Sequence, residues 1–203
     1  VNDHQTPELA DMARLLIHAN DLYQNANNLA TPAAERQSFL DDAFQLTSQI
    51  ISLDPSNNPA INLLGRIELD RGNISTAKAL FNQCLLSDPE NTQYLTNSGY
   101  LYLVTDKPEK ALTYFNTALS VDKSYVNAFL GIARAQQALR NYDVAYLHYR
   151  SLVKYGHNNS TILQGMLSCC EHIQIDNYDA ELEADLLTLL ANDDLPLERL
   201  GHF

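Results

Sequence analysis

The chain has 203 residues, of which 45% are hydrophobic and 8% aromatic, with 25 Asp and Glu against 13 Lys and Arg. Its formal net charge of −12 repels phosphate backbones and anionic lipid headgroups, so nucleic acid and acidic membranes are not expected as partners. The sequence has no apolar run near the roughly 20 residues of a membrane span, and its three cysteines are too few for a disulfide framework. With only seven Gly and seven Pro, the composition is consistent with an all-helical chain.

The N-terminal part, residues 1–57, is predicted to form a pair of helices. The first helix covers residues 7–29, where apolar side chains recur at steps of three and four. The second helix begins after Thr31, the expected N-cap, and ends at Asp54-Pro55.

From residue 58 onward the sequence repeats itself every 34 residues. The matching positions are Ala77, Ala111 and Ala145; Phe81, Phe115 and Tyr149; and Gly65 and Gly99. The pairs Asp54-Pro55 and Asp88-Pro89 keep the same step. Each unit reads as two amphipathic helices joined by a short turn, and such units at a fixed 34-residue period are typical of an α-solenoid. Gly65 and Gly99 are therefore expected at close helix contacts.

Residues 92–125 carry a pattern that resembles the tetratricopeptide repeat (TPR) family. The pattern consists of Leu95, Gly99, Tyr102, Ala111, Phe115 and Ala118, with Lys123 where the family usually has Pro. Residues 58–91 match at Ile61, Leu64, Gly65, Ala77, Phe81 and Pro89, and residues 126–159 at Phe129, Ala133, Ala145 and Tyr149. The resemblance implies an all-α helix-turn-helix solenoid wound as a right-handed superhelix. It places three repeats over 58–159 and makes 1–57 a degenerate first repeat.

The C-terminal part, residues 160–203, is expected to cap the repeats or to begin a further segment. Residues 160–172 read as another first helix, and a second helix is predicted over 178–191. From Glu171 to the end there are nine acidic residues and one arginine. A charge run of this kind is usually a solvated helix face.

The sequence provides no catalytic motif and no convincing metal site. Cys169, Cys170 and His172 are close in sequence, but adjacent helical residues point about 100° apart and no second ligand pair follows at a zinc-site spacing. Cys170 is expected in the core and Cys169 near a groove. We therefore expect no enzymatic activity, no metal and no cofactor.

The resemblance does imply a binding surface, because first helices line the concave face of a TPR solenoid. The candidate partner-binding residues at exposed positions of these helices are Asn62, Arg66, Asn97, Tyr100, Asn127, Arg134 and Gln137, and neighbouring candidates are Asp70, Gln93, Thr96, Val104, Leu130, Gln164 and Ser168. Amides can pair with an extended peptide backbone, and arginine can hold a carboxylate in bidentate fashion. The lysine-rich clamp of chaperone-binding TPR proteins is absent, since Asn62 and Asn127 stand where lysines are expected.

The sequence thus predicts a non-enzymatic scaffold or adaptor that holds a peptide or a protein surface in its groove. Two alternatives stay open: the N-terminal TPR module of a larger bacterial glycosyltransferase or methyltransferase, and a component of pilus or secretion machinery. Because the chain begins at Val1 without Met, we expect a processed chain or a piece of a longer protein. A cytoplasmic location is favoured, a periplasmic one applies if a signal precedes the chain, and the oligomeric state is left open.

Overall fold

The structure is a computed structural model that describes residues 5–28, 30–157 and 159–173. Within these residues it contains nine α-helices and no strand, which confirms the all-α prediction. The helices are α1 (Gln5–Asn27), α2 (Ala33–Leu53), α3 (Asn58–Asp70), α4 (Ile74–Ser87), α5 (Thr92–Val104), α6 (Pro108–Val121), α7 (Val126–Ala138), α8 (Tyr142–Lys154) and α9 (Ser160–Cys170). The helices predicted over 178–191 and beyond lie outside the described residues.

The helices form two compact units, one ending at Leu101 and the other beginning at Tyr102. In the first unit α1 packs against α2, α3 packs against α4, and α3 also contacts α1 and α2. In the second unit α7 contacts α6, α8 and α9, and α8 packs against α9. Each unit is therefore built from helical hairpins of the helix-turn-helix solenoid type. The divisions expected at 57/58 and 159/160 stay predictions.

The 34-residue period marks the positions where the helices of a hairpin meet most closely. Ala77, Ala111 and Ala145 are all fully buried, as expected. A Cβ atom added to Gly65 would lie 2.6 Å from the ring of Phe81, so the predicted close packing of Gly65 is confirmed.

Two further glycines, themselves 34 residues apart, lie against the repeated aromatic rings of the second unit. A Cβ atom on Gly131 would lie 2.4 Å from the ring of Phe115, and one on Gly165 would lie 2.3 Å from the ring of Tyr149. Each ring thus packs on the first helix of the following repeat. A side chain at either glycine would displace the ring.

The loops between repeats keep the period as well. The side-chain oxygens of Asn57, Asn91 and Asn159 accept hydrogen bonds from backbone amides in the first turns of α3, α5 and α9, at 3.1 to 3.3 Å. Each bond satisfies an amide that has no partner within its helix. Tyr125 occupies the equivalent position before α7, where no side chain caps the helix.

The expected start of the second helix was wrong in detail. Pro32 is the N-cap of α2, and the Thr31 hydroxyl donates instead to the carbonyl oxygen of Asn25 at 2.6 Å. Thr31 therefore closes the turn that follows α1. Such a threonine can bond to either neighbouring helix, and only the folded hairpin decides which one it reaches.

Candidate partner-binding surface

Two candidate residues, Asn62 on α3 and Asn97 on α5, form a hydrogen bond that connects these two helices. The Asn97 side chain donates from Nδ2 to Oδ1 of Asn62 at 2.8 Å, and Asn62 is only 3% exposed. Thr96 is also buried, and its hydroxyl donates to the carbonyl oxygen of Thr92. The expectation that Asn62 and Thr96 are exposed is therefore wrong. A buried amide needs a partner, and the neighbouring first helix supplies one here.

Arg66 lies in a cluster that includes a residue of α1. Its guanidinium carbon sits 4.2 Å from the centroid of the Tyr23 ring, a cation–π contact. The Tyr23 hydroxyl donates to Oδ2 of Asp70 at 2.7 Å, and Asn27 Nδ2 donates to the same oxygen at 3.3 Å. Sequence reasoning missed Tyr23, because its partners Arg66 and Asp70 lie more than 40 residues away and a 34-residue period does not mark them.

The electrostatics of this cluster keep Tyr23 protonated. Burial raises the pKa of the Tyr23 hydroxyl far above its usual range; Arg66 opposes the shift and Asp70 adds to it. The protonated hydroxyl donates its hydrogen bond to the Asp70 carboxylate on α3. The cluster therefore holds α1 to α3 and fixes Arg66 at the surface of the first unit.

A second charged cluster joins α2 to α3. The Arg71 guanidinium makes an ion pair with Asp41, lies 3.6 Å from Glu68 and stacks over the Phe44 ring at 4.2 Å. Glu68 is 6% exposed and stands where the TPR pattern has Tyr; it also accepts a hydrogen bond from Asn73 at 2.6 Å. These contacts compensate the buried carboxylate, so this cluster is structural.

In the second unit Gln137 on α7 forms hydrogen bonds to both α8 and α9. Its Nε2 donates to the Ser168 hydroxyl on α9 at 3.0 Å, and its Oε1 accepts from the Tyr149 hydroxyl on α8 at 3.0 Å. Asn127 and Arg134 lie on the same helix, α7, and both are exposed. The exposed polar surface of α7 is therefore formed by Asn127 and Arg134, while Gln137 holds the helices together.

Arg66, Tyr100 and Arg134 would form a row if successive first helices stack in register, and these three candidates come from both units. Arg66 and Tyr100 are half-buried in the first unit, and Arg134 is exposed in the second. Their common position in successive first helices follows from the 34-residue step, and the row itself stays a prediction.

The cysteines do not form a reactive or metal-binding group. Cys84 is buried in the core, as expected, and Cys170 is 5% exposed. The expectation that Cys169 lies near a groove is wrong, because its side chain is fully buried against Met166 and Tyr149. Burial raises the pKa of Cys169 to about 11, which keeps the thiol protonated at neutral pH and poorly reactive.

Among the described residues, no group of three or more His, Cys, Asp or Glu side chains is placed to hold a metal ion. The helices described there also include none whose length and apolarity would suit a membrane span.

A comparison with protein families matches the tetratricopeptide repeat model to residues 59–91 and 92–125. Among curated proteins, the chain is 30% identical over 124 residues to the tetratricopeptide repeat and J domain-containing co-chaperone DNJ1 of Fusarium oxysporum f. sp. lycopersici. That match covers 60% of this chain and 23% of the co-chaperone. The chain spans 11 to 25% of the length of the curated relatives that it matches.

Solved structures share the fold. A tetratricopeptide repeat protein from Parabacteroides merdae superposes with a TM-score of 0.62 at 19% identity, over 93% of this chain and 77% of that one. A Thermobaculum terrenum O-GlcNAc transferase mutant superposes with a TM-score of 0.60 at 22% identity, over 74% of this chain and 27% of that one. At such identities the likeness establishes the helix-turn-helix repeat fold.

Proposed function

Because the chain belongs to the tetratricopeptide repeat family, we propose that it is a non-enzymatic adaptor whose first helices bind a protein partner. The observation that carries the proposal is the repeated placement of polar, aromatic and cationic side chains at one position of α3, α5 and α7. Residues at this position are Arg66, Tyr100 and Arg134. Tyrosine and arginine are the side chains that most often anchor protein interfaces.

The internal hydrogen bonds narrow the set of residues that bind the partner. Asn62 and Asn97 pair with each other, and Gln137 is held by Ser168 and Tyr149. We therefore assign to these amides the role of setting the spacing between first helices. The contacts with the partner are assigned by exposure, since Asn127 and Arg134 are exposed and Arg66 and Tyr100 are half-buried. Arginine and tyrosine side chains at this repeat position favour a segment that carries a carboxylate next to an apolar side chain.

A second candidate is that the chain is the repeat module of a larger enzyme. The observation in its favour is the fold shared with the O-GlcNAc transferase, of which this chain covers 27%. The two candidates differ in what accompanies the repeats: a catalytic domain in the same reading frame supports the enzyme module. In both cases the first helices bind a protein, and the four contact residues are the same.

Titration of a captured partner tests the proposal. We expect Tyr100→Ala and Arg134→Ala each to weaken binding by about 1–3 kcal/mol, as interface anchors do. Thr113→Ala is the control, because Thr113 is exposed on α6, a second helix. Thermal unfolding of each variant checks that the fold is kept. Equal affinities for all four proteins would show that the partner docks elsewhere.

A further inference from the structure

A cavity of about 440 Å³ lies in the second unit, between the loop before α7, the first turn of α7 and the end of α8. Cavities that hold small ligands or single side chains fall in this size range. Its lining includes Lys123, Val126, Phe129, Leu152, Tyr155 and His157. The residues assigned above to partner contact are not among its lining, so it is a separate feature of the molecule.

The base of the cavity is apolar and firmly held. Leu152 is 4% exposed and belongs to the hydrophobic core of the second unit, and Val126 and Phe129 pack against the same core. At the rim, by contrast, Tyr155 is 79% exposed. An accessible aromatic ring beside an apolar base can pack against a group that enters the cavity. Because tyrosine has only two side-chain torsions, this contact costs little conformational entropy.

The rim differs from the other repeat junctions in one respect. At the junctions that follow α2 and α4, the equivalent residues are Pro55 and Pro89. At the junctions that follow α6 and α8, which border the cavity, they are Lys123 and His157. The sequence step therefore places a cation and an imidazole where the earlier junctions have proline rings.

The backbone before Lys123 is nevertheless the same as before Pro55. Asp122 has φ −128° and ψ 105°, and Asp54 has φ −134° and ψ 91°. In both turns the aspartate Oδ1 accepts from the amide of the serine two residues on, at 2.9 and 3.0 Å. The exchange of proline for lysine has changed the charge at the rim and left the turn intact.

The charged group in the cavity lining suits an anionic ligand. Asp122 is the nearest acidic residue in sequence, and its carboxylate accepts hydrogen bonds from the Ser124 amide and hydroxyl. Lys123 is the charged side chain that lines the cavity.

We propose that this cavity binds a large apolar side chain that stands next to Asp or Glu in a peptide segment of a partner. The apolar group occupies the space over Val126, Phe129 and Leu152, beside Tyr155. The neighbouring carboxylate faces the Lys123 ammonium. The chain would then hold its partner at a second point, outside the first-helix contacts.

A peptide titration on the whole chain tests this site. The probe is an acetylated, amidated pentapeptide with a central phenylalanine and two glutamates on either side. Binding is followed by backbone amide chemical shifts in about 0.15 M salt, where screening over about 8 Å makes the local charge decisive. We expect saturable shifts at Val126, Phe129 and Leu152. Lys123→Glu should weaken binding about tenfold, and Tyr155→Ala at least about threefold, because both side chains touch the ligand.

Matched controls separate this site from general charge effects. Lys107→Glu makes the same charge change at an exposed residue of the same unit that does not line the cavity. It should change the affinity measured from the shifts of Val126, Phe129 and Leu152 by no more than about twofold. Equal loss in Lys107→Glu and Lys123→Glu would overturn the proposal. So would equal binding of a lysine-flanked peptide, of an alanine-centred peptide or of 3-phenylpropionate alone, and so would the absence of saturable binding.

Discussion

The two units of the molecule repeat the same hairpin but join their hairpins with different chemistry. In the first unit, charged clusters around Arg66 and Arg71 connect the helices. In the second, the contacts between helices include the Gln137 hydrogen bonds, the stack of Tyr142 on His172 at 4.2 Å and the Lys110 ammonium over the Tyr102 ring at 5.8 Å.

This difference shows which positions of a repeat are constrained. The buried alanine and the buried aromatic ring recur in both units because each must fit between two helix backbones. The residues that connect one hairpin to the next satisfy a weaker condition, namely that every buried polar group finds a partner. An ion pair, a cation–π contact and a hydrogen-bonded amide all meet that condition, so these positions vary in charge.

The largest expected effect concerns the buried aromatic ring in the hydrophobic core of each unit. Phe81→Ala and Tyr149→Ala should each lower the free energy of unfolding by about 3–5 kcal/mol, because both rings are 1% exposed. Tyr149→Phe should cost only about 0.5–1.5 kcal/mol, since it removes the hydrogen bond to Gln137 and keeps the ring. Denaturant unfolding followed by circular dichroism measures all three. If Tyr149→Phe is as unstable as Tyr149→Ala, the hydrogen bond to Gln137, and not the burial of the ring, makes the larger contribution of Tyr149 to stability.

A smaller effect is expected where the junctions differ. Lys123→Pro should stabilise the protein by about 0.4–1 kcal/mol, because proline restricts the unfolded chain and Asp122 already has the extended conformation that precedes Pro55. The reverse change, Pro89→Lys in the first unit, should destabilise it by a similar amount. Thermal unfolding at one protein concentration gives both values. A lowered melting temperature for Lys123→Pro would show that the two junctions are not equivalent.

The smallest effect concerns acid pH and is expected to be alike in the two units. Hydrogen bonds from the side chain and then the backbone of Ser56 lower the pKa of Asp54 below its usual 3.8, and Ser124 does the same for Asp122. A carboxyl with a lowered pKa in the folded state stabilises the fold above the unfolded pKa, and that contribution is lost as the pH falls below 3.8 through the folded pKa.

Substitution of one serine at a time separates the two turns. Ser124→Ala should raise the pKa of Asp122 toward its usual value and leave that of Asp54 unchanged; Ser56→Ala should do the converse. Carboxyl carbon chemical shifts during an acid titration report both groups. If the pKa of Asp122 stays the same in Ser124→Ala, the hydroxyl is not the main cause of its shift.

The candidate surface was only partly predictable from the period. The repeat pattern correctly placed Asn62 and Asn97, which are 35 residues apart, on successive first helices, yet it treated both as available to a ligand. In the structure the two amides bond to each other. The period locates a residue on a helix face, but the distance to the neighbouring helix decides whether that face is solvent or an internal contact. Cys169 shows the same, since its place in α9 was predicted and its burial was not.

The amino-acid sequence by itself determined the helices, their pairing into hairpins and the close packing at Ala77, Ala145 and Gly65. These features depend on contacts within about one repeat, where helix periodicity and residue size suffice. Only the tertiary structure decided that Tyr23 holds Arg66 and Asp70, that Asn62 is buried, and that Lys123 borders a cavity. Those contacts join side chains of different repeats or depend on how their backbones approach one another. Their geometry is set by the packing of whole helices, which a repeat pattern does not encode.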